Sequence, residues 1–161
     1  MSFNESVKKA LLLMVLPAIS FNAFAQVELK TEMYKVIEVP IENGASKIEW
    51  IQPNSITPGD RVGYRLIVEN KGDKPAGNIV LNNPVPENTL YVDGSARGAN
   101  SSIVFSVDQG KTFAKPENLF IQKDGKKLQA TAKDYSNIRW ILNSALKAGE
   151  KGSVQYVVQV K

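Results

Sequence analysis

The chain has 161 residues, 43% of them hydrophobic and 22% charged, and it contains neither Cys nor His. That length suggests one domain with at most an appendage, and the apolar share is enough for a real core. The lack of Cys and His excludes thiol nucleophiles, disulfides, zinc sites of the usual ligand types and every His-based triad.

The net charge of +4 is spread thinly along the chain. Nucleic-acid binding wants a basic stripe with aromatic platforms, so no nucleic-acid partner is predicted. At the N-terminus, Lys8 and Lys9 form a short positive region before the apolar run Ala10 to Leu16, which Pro17 ends. Ala23-Phe24-Ala25 then gives a small-x-small site followed by Gln26. This is the layout of a secretory signal peptide over residues 1–25, with cleavage after Ala25 and Gln26 as the first mature residue. The apolar run is shorter than a permanent anchor needs, and without Cys there is no lipobox. The expectation is an exported protein, periplasmic or extracellular, with no membrane span after cleavage.

Val27 to Val39 is long and β-prone, and Pro40 ends clean pairing. A turn at Ile41–Lys47 leads to a short strand candidate, Ile48–Ile51. Residues 26–49 therefore read either as a leading strand pair or as an arm along a sheet edge, ahead of a domain over 50–161. Pro58-Gly59-Asp60 turns into the strongest strand, where Val62, Tyr64, Leu66 and Val68 alternate with Gly63, Arg65, Ile67 and Glu69. Ala76 to Leu81 reads as its companion, the two forming the centre of a sandwich. Asn82 to Asn88 is a polar crossing between sheets. Strands follow at Thr89–Val92, Ser102–Val107, Lys111–Phe113, Leu119–Ile121, Ile138–Leu142 and Ser153–Val160, with a turn at Lys123–Lys127 and no clear reading for Ala130–Asp134. Short strands at this spacing, with turn signals between them, predict an all-β antiparallel β-sandwich.

Three stretches carry a family resemblance. They are Thr57-Pro-Gly-Asp-Arg-Val-Gly-Tyr-Arg-Leu-Ile-Val-Glu-Asn-Lys-Gly, Ala76-Gly-Asn-Ile-Val-Leu-Asn-Asn-Pro-Val-Pro-Glu-Asn and Leu90-Tyr-Val-Asp-Gly-Ser-Ala. In this order they resemble the bacterial conserved repeat domain known as domain of unknown function 11. Trp140, the turn Leu146–Gly152 and the Val-rich last strand are similar to that family's end. The resemblance covers roughly residues 50 to 161 and implies an immunoglobulin-like sandwich on an exported or surface protein, with no enzymatic site. The chain departs from the family pattern in its single copy, its longer middle and its added N-terminal segment.

Little in the chain reads as chemistry. Ser106, Asp108, Gly110, Thr112 and Phe113 fit the Asp-box pattern Ser-x-Asp-x-Gly-x-Thr-aromatic, whose physics is that of a turn. One such box cannot build a propeller, so the reading is structural. Asp93, Asp108, Asp124 and Asp134 could supply oxygens to Ca²⁺, but no loop of closely spaced acids ends in a Glu, so no metal and no cofactor are predicted. No spacing selects a carboxylate pair, and no motif marks a nucleophile. Of the aromatics, Tyr64, Trp140 and Tyr156 fall on inward positions, while Trp50 is open between core and ligand platform. The expected role is a non-catalytic structural or interaction module of the bacterial envelope or surface, with another envelope protein or a glycan as partner. The alternative is a glycan- or peptide-binding sandwich, and a hydrolase ranks last.

Overall fold

A computed structural model describes residues 26–161, so the leader with Ala23 and Ala25 lies outside the described residues and Gln26 is the first within them. The described chain is all β, with eleven strands and three single 3₁₀ turns. The first strand, β1 (Val27–Pro40), runs unbroken for 14 residues. It pairs on one side with β3 (Arg61–Asn70) over Val27 to Val36. On its other side, only Lys35 to Pro40 pair, with β2 (Ser46–Ile51). Residues 26–49 are thus bonded into the sheet, the nearer of the two arrangements left open.

β3 also pairs along its length with the last strand, β11 (Lys151–Val160), which carries β5 (Thr89–Tyr91) and β6 (Arg97–Gly98) on its far side. The second sheet has the order β4 (Val80–Pro84), β10 (Asn137–Leu142), β7 (Ser101–Ser106). A separate hairpin joins β8 (Phe120–Lys123) to β9 (Lys126–Gln129). All pairings are antiparallel.

The two sheets meet face to face through aromatics. Trp140 of β10 lies against Tyr156 of β11, with ring centroids 5.9 Å apart, and Tyr156 stacks on Tyr64 of β3 at 5.2 Å. Tyr91, Phe105 and Tyr135 form a second cluster across the sheets. Around them Val62, Leu66, Val68, Ile138, Val154 and Val158 are buried. Each such side chain removes apolar surface from water, worth about 1.5–3 kcal/mol when fully buried. Burial pushes the Tyr156 phenol well above its ordinary value, because a phenolate there would lose its solvent. Its hydroxyl is bonded to the Asn83 amide instead.

Asn70 is fully buried at the end of β3. Its Nδ2 donates to the carbonyls of Lys74 and Leu146, and its Oδ1 accepts the Gly72 N–H. A buried amide needs such partners, and here they fix both the loop after β3 and the turn before β11.

Two expectations need correcting. Ala76–Leu81 is not a strand beside β3. Ala76 makes only an isolated bridge to Leu146, and Asn78 takes a positive φ of 54°, which breaks the extended run. The strand starts at Val80, continues through Asn82 and Asn83 into the supposed crossing, and sits at the edge of the opposite sheet. Lys111–Phe113 is not a strand: Ser106 and Asp108 take the backbone N–H groups of Gly110 and Thr112, and pairing resumes only where Ala114 bridges Phe105. Within Ala130–Asp134, which has no clear reading in the sequence, Ala132–Asp134 forms a 3₁₀ turn whose Asp134 carboxylate accepts both the N–H and the hydroxyl of Thr131.

Candidate interaction surface

Alternation along β3 puts Gly63, Arg65, Ile67 and Glu69 on the outward face of the first sheet. Register carries Tyr34 opposite Gly63 and Glu32 opposite Arg65. Trp50 sits opposite Val36 from β2. Glycine at position 63 makes room for the indole: a Cβ there would lie 2.5 Å from the Trp50 ring. The Arg65 guanidinium stands 5.4 Å from the Tyr34 centroid and 5.6 Å from that of Trp50, within cation–π reach. The Tyr34 hydroxyl donates to Glu32, which also pairs with Lys30. Those two bonds hold the Glu32 carboxyl below the usual range. Trp50 is therefore a half-buried member of an aromatic–guanidinium cluster on the outer face, apart from the core.

The opposite face of β1 is different. Val27, Leu29, Thr31 and Met33 point to the same side as Val68, Leu66 and Tyr64, but the second sheet stops short of them. Among the described residues, nothing pairs with the outer edge of β1 from Val27 to Tyr34. An open strand edge thus runs beside an uncovered apolar stripe, the combination by which sheets take up another strand.

The Asp-box residues form one compact turn after β7. The Ser106 hydroxyl donates to Asp108 Oδ1 at 2.7 Å and accepts the Gly110 N–H at 2.9 Å. Asp108 accepts the Thr112 N–H at 2.9 Å and its hydroxyl at 2.6 Å. These bonds, led by Thr112, hold the Asp108 carboxyl well below its ordinary value. Phe113 lies under the Arg139 guanidinium at 3.5 Å. The Ser106, Asp108 and Thr112 side chains are all used within the turn, while the Ser106 carbonyl accepts from Ser136, which ties the turn to the residues before β10.

Several acids are likewise engaged, and the two that face each other across β1 and β3, Glu28 and Glu69, share a shallow cleft with Lys30 and Lys151. Asp134 caps the Thr131 turn, and Asp124 sits at a hairpin tip. Asp60 is paired with Lys35, and Glu69 with Lys71 and Lys151. A cleft of about 310 Å³ between Val68, Leu142, Leu146 and Val154 has Glu150 as its single carboxylate, and one of about 500 Å³ beside Pro84 and Tyr135 has only Glu87. Neither holds the carboxylate pair that glycoside hydrolysis uses. Among the described residues, no helix is long and apolar enough to cross a membrane. No family model, curated protein or solved structure compared with the chain matches it.

Sequence reasoning left Trp50 open and missed Tyr34 and Arg65. The available signal was Gly63, since glycine inside a strand often marks the close approach of another group.

Proposed function

We propose that the chain is a non-catalytic, exported structural or interaction module of the bacterial envelope or cell surface, folded as an immunoglobulin-like sandwich. The observation that carries this reading is the open edge of β1 beside its uncovered Val27–Leu29–Met33 stripe. It offers backbone bonds and apolar area to a partner, whereas Asp60, Glu69, Asp108 and Asp134 are taken up in turns and ion pairs. The motif order from Thr57 to Ala96 and the leader-like residues 1–25 support the same reading. Two tests bear on it. N-terminal sequencing of the protein recovered from the cell exterior or periplasm is expected to begin at Gln26. A hydrolase panel is expected to stay blank, and turnover abolished by replacing a single acid overturns the non-catalytic reading.

The second reading is a glycan-binding module, favoured by the Trp50–Tyr34–Arg65 cluster on the outer face. Aromatic rings offer sugars a flat apolar face. Binding on a glycan array that disappears with Trp50→Ala would establish it, and a blank array removes it.

A further inference from the structure

We propose that the free edge of β1 is a self-pairing edge: two copies of this chain join antiparallel through Lys30-Thr31-Glu32, with a two-fold axis through Thr31. The inference rests on the interaction-module reading and names the partner as a second copy.

Backbone direction comes first. The Gln26 carbonyl accepts the Lys71 N–H at 2.7 Å, one step beyond the Val27–Asn70 pair, so even-numbered β1 residues turn their N–H and C=O toward β3. Ile41 donates to the Ala45 carbonyl, one step beyond the Pro40–Ser46 pair, so odd-numbered residues turn theirs to the opposite side. Val27, Leu29, Thr31 and Met33 therefore present backbone donors and acceptors at the open edge, and a second strand must bond to residues of this set.

Charge then selects the register. With the axis through Thr31, Thr31 faces its own copy as a reciprocally bonded pair. Lys30 faces Glu32 of the second copy, twice by symmetry, and Leu29 faces Met33, also twice. Each Glu32 carboxylate then lies between two Lys30 ammonium groups, one from its own strand at 2.8 Å. Moving the axis to Lys30 sets Lys30 against Lys30 and Glu28 against Glu32, and moving it to Glu32 sets Glu32 against itself. Like charges directly opposite destabilise a strand pair. An axis through Leu29 also matches opposite charges, Glu28 with Lys30, but pairs fewer residues. The run Leu-Lys-Thr-Glu-Met is thus its own complement when read in reverse.

The apolar stripe supplies area. Val27, Leu29 and Met33 are 41%, 51% and 43% exposed, and pairing lays the Leu29 and Met33 side chains of the two copies across one another. Pairing across a two-fold axis consumes both edges, so association closes at two copies and does not propagate. The edge of β2 is a poorer candidate, being six residues long and followed by Gln52-Pro53.

The test is a charge exchange read by sedimentation velocity on the purified protein. Wild type is expected to dimerise reversibly. Lys30→Glu sets Glu against Glu across the axis, Glu32→Lys sets Lys against Lys, and each raises the dimer Kd by roughly tenfold or more. Mixing the two single variants, or combining them in one chain, restores opposite charges and the dimer. Thr31→Pro removes the N–H at the axis while sparing the β3 ladder, and is expected to give a monomer with an unchanged far-ultraviolet β spectrum. That spectrum, taken for every variant, separates lost pairing from lost folding. A wild type that stays monomeric at the highest soluble concentration, open-ended assembly, or a double variant that fails to recover the dimer overturns the proposal. Such a failure leaves the module reading intact, because that reading falls to the N-terminal sequence or to turnover.

Discussion

β3 and β1 are neighbours with the same alternating pattern and opposite fates. On β3, Val62, Leu66 and Val68 are 3%, 1% and 0% exposed, whereas their same-face neighbours on β1 remain about half exposed. Register places both sets on one side of one sheet. What differs is the layer above: β4, β10 and β7 cover β3 and β11 and end before β1. Alternation fixes which side chains share a face, but coverage belongs to the opposing sheet. The uncovered face is where a partner can be gained without unfolding anything.

The sharpest way to break this contrast is to cut into the covered half. Trp140 is fully buried and donates its indole N–H to the Arg97 carbonyl. Trp140→Ala is expected to cost about 3–5 kcal/mol of folding free energy in urea titration, and to leave the Arg97 carbonyl without that donor. A loss below about 1 kcal/mol would mean the two sheets are not packed as described.

On the outer face, Gly63→Ala drives a methyl into the Trp50 ring and is expected to cost about 1–3 kcal/mol. Trp50→Ala in the same chain should recover most of that loss, and a purely additive double variant would show that the two residues do not touch.

Asp108→Asn tests the turn outside the core. The carboxyl is held below its ordinary value by Thr112 and Ser106. It therefore stabilises the fold above the ordinary carboxylate range, and that contribution is lost as pH falls through the lower folded value. The variant should melt below wild type at neutral pH, and the gap should close on acidification. A gap independent of pH would assign the effect to shape alone.

The smallest effect is expected on the uncovered stripe. Leu29→Ala should change the stability of dilute protein by less than about 0.5 kcal/mol. A loss like that of a core leucine, about 2–5 kcal/mol, would show that the stripe is already covered in the single chain.

These contrasts also mark how far the sequence could be read. The strands at β3, β5, β7, β10 and β11 stand close to their sequence positions, because each carries alternation between turn residues. β4 was displaced because Ile79-Val80-Leu81 looks like a strand centre, while the bonds of buried Asn70 and the positive φ of Asn78 delay its start. β9 leaves no strand signal because Lys126-Lys127-Leu128-Gln129 has one apolar residue and no period, even though the Asp-Gly before it marks a turn. At the candidate surface, the sequence marks Trp50 and leaves its companions unmarked. Tyr34 and Arg65 reach it through the β1–β2 and β1–β3 registers together, and the second pairs residues 25 or more positions apart, which leaves no local trace.

The β8–β9 hairpin has a practical consequence. Its turn, Asp124-Gly125, holds both residues at positive φ, 52° and 72°, the geometry that matches strand twist. It is anchored at its base, by buried Leu119 and Ala130 joined through one backbone bond and by Ile121 against the core, while the tip stands free of these contacts. A two-stranded ribbon has little stability of its own, so its amides should trade deuterium long before those of β3. The tip is accordingly the place to splice in an epitope or carry a fluorophore, reporting on the molecule without disturbing what holds it together.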